Sequence, residues 1–111
     1  MGRGEAAPSA RYNEFIEGIT KILEEGISLP DTMDDPIAFS NSVLPQSKGI
    51  KSLEVALSMA ILDWWCQKEG ITLYQYFGAN PDKTPKTSFT ISIGDMDLIP
   101  EKVAEASPYH I

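Results

Sequence analysis

Few side chains in this sequence are of the types that do chemistry, and no stretch is a self-sufficient active site. His110, the only histidine, stands next to the last residue, and no direct chemical role is assigned to it. Cys66, the only cysteine, lies in a continuous apolar run, where a thiol behaves as a small hydrophobe rather than a nucleophile. Asp31, Asp34 and Asp35 crowd one loop but lack the glycine and the bidentate glutamate of a calcium loop, so capping and solvation account for them. No catalytic residue and no metal ligand is assigned within the chain. Lys83 and Lys86 flank a linker and read as solvated charges. Gly2-Arg3-Gly4 is too short and wrongly placed for a dinucleotide fingerprint. Asp63 is the most informative carboxylate. At 100° per residue it falls on the apolar side of its helix, nearly opposite Glu54 and Ser58. An unpaired carboxylate there costs several kcal/mol, about 3–5 when a buried pair is broken, so an ion pair or a bond to a neighbouring loop's backbone is expected.

The element that must position these groups is the stretch 47–69. Between Leu53 and Cys66 only Glu54, Ser58 and Asp63 interrupt the apolar run, and Leu53, Leu57, Ala60, Ile61 and Trp64 keep a helical period. The spacing predicts a helix buried on most sides, with Ser47 as N-cap and Gly70 just past its end. Two acids inside a run this short argue against a membrane span. Before it, Asn13 is a candidate N-cap for a helix running to Glu25, and Asp35-Pro36 opens a short helix carrying Ile37, Phe39 and Val43. After it, Thr72 and Gln75 fit a capping box for a turn ending at Gly78. Residues 80–86 contain two prolines and no apolar residue, the best domain boundary in the chain. Ser88 to Ile93 alternates strictly, which predicts a strand with Phe89, Ile91 and Ile93 on one side and Ser88, Thr90 and Ser92 on the other. A helix is expected from about Asp97. The only other strand candidates are the first few and the last three residues, so the predicted strand lacks a sheet, and the chain reads as a piece of a larger protein.

Composition narrows the partners. At 42% hydrophobic and 23% charged, the 111 residues have ordinary globular content. A net charge of −7 disfavours nucleic acid and anionic membrane. A lone cysteine and no visible signal peptide fit a cytoplasmic protein.

Three segments together resemble the dipeptide epimerases of the enolase superfamily, the Ala-Glu epimerase type. GRGEAAPSARYNE is similar to the family's Gly-x-Gly-Glu-Ala-Ala-Pro-Ser run after the third strand of the capping domain. ALSMAILDWWCQKEGITLYQYFGA resembles the closing capping-domain helix and the turn after it. KTSFTISIGD with EKVAEASPYHI is similar to the first strand and helix of the family's (β/α)8 barrel. Three positions depart from the pattern: Ser58 replaces a frequent Asp, and Met96 and Pro100 stand where Pro and Ala are usual.

The resemblance implies an α+β fragment, mostly helical. Residues 1–80 would be the remainder of an enolase-like capping domain (strand end, lid loop, helices), 81–87 a linker, and 88–111 the start of the barrel. It implies an isomerase that moves the α-proton of a dipeptide such as Ala-Glu, with Mg²⁺ stabilising the enolate and two lysines on opposite faces. Those lysines and the three metal carboxylates would lie beyond Ile111, so the chain alone is expected to be inactive. Substrate contacts fall to Thr90 on the first strand and to Ser9 and Arg11 in the lid loop. A homo-oligomer is compatible with the family. The alternatives are another member of the superfamily, muconate cycloisomerase-like or o-succinylbenzoate synthase-like, and a helical protein-interaction module of a different class.

Overall fold

The computed structural model describes residues 1–91 and 94–108, and the chain divides into two compact units, Met1–Ala79 and Asn80–Ile111. Unit one is built on α3 (Lys51–Glu69), with α1 (Ile16–Glu25), α2 (Pro36–Val43) and the single turn α4 (Leu73–Tyr76) around it. Two apolar clusters meet on one side of α3. Ile19 and Ile22 of α1 pack with Leu53, while Phe39 and Val43 of α2 pack with Ile61. Leu57 and Ile27 touch both clusters and join them. The hydroxyls of Ser40 and Ser58 meet at 2.9 Å, so at the position where the resemblance leads one to look for Asp, a serine pair ties α2 to α3.

Burial of α3 is narrower than its composition predicts. Leu53, Ile61 and Cys66 are buried, but Val55 and Met59 are exposed and Trp64, expected inside, is 39% exposed. The covering elements explain this: α1 and α2 lie on the Leu53–Ile61 side, and the packed clusters include no residue of the Val55–Met59 face. Lys68 instead sets its ammonium 5.6 Å from the Trp64 ring and 5.2 Å from that of Trp65.

Helix starts were the least legible features. Ser47 is no N-cap. It ends the 3-10 turn Leu44–Ser47, fully buried, and donates to Glu54 Oε1 at 3.2 Å. Lys48 and Gly49 follow at φ 54° and 84°, and this left-handed pair re-aims the chain before α3 begins at Lys51. Asn13 likewise adopts φ 56° at the end of the 3-10 turn Ala10–Tyr12, and α1 starts later, after Phe15. Where cap chemistry is local, expectation and structure coincide. Asp35 Oδ1 accepts from Ala38 N at 2.8 Å with Pro36 opening α2, and the Thr72–Gln75 capping box is complete. Asp35→Ala is expected to cost about 0.5–2 kcal/mol, read as a lowered urea midpoint at unchanged slope. A midpoint equal to that of the parent protein would show that the cap contributes nothing.

In unit two, Asn80 caps the 3-10 turn Pro81–Lys83 through Asp82 N, and residues 84–91 carry no regular element. The expected strand is therefore not formed at Ser88–Ile91, since alternation of side chains does not by itself supply the ladder that makes a strand. Ser92 and Ile93, like His110 and the other candidate strand residues at the end of the chain, lie outside the described residues. A 3-10 turn, Met96–Leu98, leads into α5 (Ile99–Ala106). That start is later than Asp97, and it puts Pro100 in the first turn, where its missing N–H breaks no helical bond. No helix among the described residues is long and apolar enough to cross a membrane.

Candidate functional site

The first residues of the chain form a strap along α3, running antiparallel to it. A Cβ on Gly4 would collide with the Ala56 carbonyl oxygen, and one on Gly2 with that of Ala60, so both glycines lie flat on the helix backbone. The fit is metric. Four helical residues rise about 6 Å, and two extended residues span about 6.6 Å. Ala6 continues the contact into the Ile19–Ile22–Leu53 cluster. Asp63, one helical turn beyond Ala60, accepts from Arg3 N at 2.8 Å and from Gln67 Nε2 at 2.9 Å, and Gln67 also donates to the Met1 carbonyl at 3.2 Å. This is the loop-backbone partner expected for Asp63, although the residue is half-buried rather than enclosed. The Gln67 amide first, then the Arg3 N–H, holds its carboxyl below the ordinary aspartate value.

Beyond the strap, residues 7–13 turn back over the N-terminal end of α3. The turn closes on itself, with Tyr12 N donating to Ser9 O at 2.9 Å and Glu14 N donating to the same oxygen at 3.1 Å. Glu14 then does what Ser47 was expected to do. Its carboxylate accepts from Lys51 N at 2.7 Å and Ser52 N at 3.4 Å, satisfying the first free amides of α3 from a distant part of the chain. The neighbouring Ser52 hydroxyl first, then these amides, hold its carboxyl below the usual glutamate value against partial desolvation. Both carboxylates thus favour the folded state above the ordinary carboxylate range, and the contribution is lost as pH falls through their lowered values. Sequence reasoning missed Glu14, because its position suggested only the first turn of its own helix.

Of the predicted contact residues, Ser9 and Arg11 share this turn. Ser9 makes no capping bond with its side chain, and Arg11 is exposed. A cleft of about 500 Å³ opens beside the turn, among Ala7, Tyr12, Glu14, Gly49, Ser52 and Val55. Thr90 belongs to unit two, where it borders a separate cleft of about 380 Å³ with Phe89, Ile91, Leu98 and Lys102. Lys102 pairs there with Glu105 at 3.0 Å, which raises its ammonium above the ordinary lysine value. Thr90 and its two apolar neighbours border the same space. Among the described residues no three His, Cys, Asp or Glu side chains are grouped to hold a metal ion. The two clefts thus place an exposed Arg11 near one and Thr90 beside the other.

Set beside known proteins, the chain is similar along nearly all its length to a class of bacterial epimerases. The L-Ala-D/L-Glu epimerase of Bacteroides thetaiotaomicron is 29% identical over 110 residues, covering 96% of this chain and 28% of that protein. The L-Ala-D/L-amino acid epimerase of Pedosphaera parvula is 30% identical over 112 residues, 100% of this chain and 32% of its own length. That of Flavobacterium johnsoniae is 29% identical over 106 residues, 94% and 32% respectively. The chain therefore spans about a third of the length of the curated relatives it matches. No family model matches it. No solved structure matches it.

Proposed function

We propose that this chain is part of a dipeptide epimerase of the enolase superfamily and supplies substrate recognition to it. The observation that carries the reading is collinear similarity to epimerases of L-Ala dipeptides over 94% to 100% of the chain. In this reading the 7–13 turn, with Ser9 and Arg11, is the lid loop, and Thr90 stands on the first barrel strand once neighbouring strands pair with it. Mg²⁺ would stabilise the enolate formed at the α-carbon. The described residues of this chain do not fit that ion, since no three of their His, Cys, Asp or Glu side chains are grouped, and Asp35 of the acidic loop caps α2. In this reading the share of this chain is to bind and orient the dipeptide.

The test is proton exchange. Supplied with Mg²⁺ in deuterated water, the whole protein containing this chain should replace the α-proton of the second residue of L-Ala-L-Glu and yield its epimer. Absence of exchange with every L-Ala dipeptide tried would sink the assignment. Thr90→Val keeps the shape of the side chain and removes its hydroxyl. It is expected to lower kcat/KM severalfold to tenfold, about 0.5–1.5 kcal/mol, with little change in melting temperature. Unchanged kinetics with a lowered melting point would make Thr90 a structural residue.

A further inference from the structure

We propose that Glu14 and Asp63 are paired positioning residues that clamp the two ends of the 7–13 loop to α3, presenting the loop to a ligand as a pre-set finger. The role rests on reading that loop as the lid over a dipeptide site. Its physical basis is independent of that reading. Both carboxylates accept backbone N–H groups across long sequence separations, Asp63 from Arg3 and Glu14 from Lys51 and Ser52. One bond fixes the chain before the loop and the other fixes it after, and both are made to the same helix. Asp63 and the strap set the entry, since Gly2 and Gly4, having no Cβ, let the strap backbone lie directly on that of α3. Glu14 sets the exit, immediately after Asn13 has turned the chain in a left-handed conformation at φ 56°.

Between the clamps the turn spends its backbone groups internally, on Ser9 O and Ala10 O, and leaves Arg11 and Tyr12 projecting. Tyr12 is 73% exposed, so side-chain burial does not hold the tip; its feet do. A loop held in its binding conformation avoids the loss of affinity that comes from populating that conformation only part of the time. Releasing one foot should therefore act on ligand capture and leave the chemical step alone.

The experiment reads the clamp and the lid separately. Glu14→Ala is expected to raise hydrogen exchange of the Tyr12, Asn13, Lys51 and Ser52 amides about tenfold or more, while amides near Cys66 stay protected. Glu14→Gln keeps an acceptor oxygen at that foot and should restore most of that protection, which also guards against a variant that fails to fold; at the other foot Asp63→Ala should expose the Arg3 amide and Asp63→Asn should keep it protected. In the whole protein, Glu14→Ala should raise KM for an L-Ala dipeptide severalfold with kcat nearly unchanged, and Glu14→Gln should recover most of it. Unchanged loop exchange in Glu14→Ala overturns the clamp. Raised exchange with unchanged KM overturns the positioning role and the lid reading beneath it, leaving the epimerase assignment to stand or fall on the α-proton experiment.

Discussion

Replacing Leu53 by alanine is expected to destabilise the protein by about 2–5 kcal/mol. Leu53 is 1% exposed and sits where α1, α3 and the strap converge, touching the Ile19–Ile22 pair with Ala6, Ile27, Ile50 and Leu57 around it. Removing its three outer carbons withdraws apolar area from all three elements at once. The surrounding atoms cannot close the gap easily, because the strap is already seated on the helix backbone and two joined clusters pack against this side of α3. Val55, two residues on and 55% exposed, supplies the control: Val55→Ala should stay within about 0.5 kcal/mol. Urea unfolding of both variants at matched slope decides the matter. Equal losses, or a Leu53 loss under about 0.5 kcal/mol, would mean that the inner face of α3 has been misplaced.

Gly4→Ala should cost about 1–3 kcal/mol, an unusual penalty for one methyl group outside any helix. The added Cβ meets the Ala56 carbonyl oxygen and the backbone behind it, which cannot yield without opening a turn of α3. The cost has a ceiling, because the strap can detach once the clash exceeds what its contacts contribute. Detachment has its own signature, loss of protection at the Arg3 amide as its bond to Asp63 breaks. Gly94→Ala is the matched control, since nothing lies within contact distance of a Cβ there. Fewer unfolded conformations should make that change neutral or slightly stabilising, by about 0.4–1 kcal/mol at most. If Gly4→Ala also stabilises, the strap does not lie on α3 as described.

What the sequence by itself determined is what depends on neighbours within a turn or two of chain. The period of Leu53, Leu57 and Ile61 places one face of α3 inside, Asp35-Pro36 opens α2, and Thr72 and Gln75 close their reciprocal box. In each case the donor, acceptor or apolar partner sits three or four residues away, so the pattern of side chains carries the geometry. The resemblance to epimerases was legible for the same reason, as runs of consecutive residues in order.

Tertiary structure alone decided the features whose partners are far along the chain. Residue spacing cannot show that Glu14, rather than Ser47, would cap α3 across a separation of 37 residues, or that Asp63 would find the Arg3 amide 60 residues away. Two glycines near the start suggested a strand end, and only the close approach to Ala56 and Ala60 shows why side chains are excluded there. The burial of Trp64 was overestimated because composition reports what a helix can bury, whereas exposure depends on which elements are present to cover it. Alternation at Ser88–Ile91 likewise encodes a side-chain pattern, whereas the ladder of a strand forms only where a second strand is brought alongside.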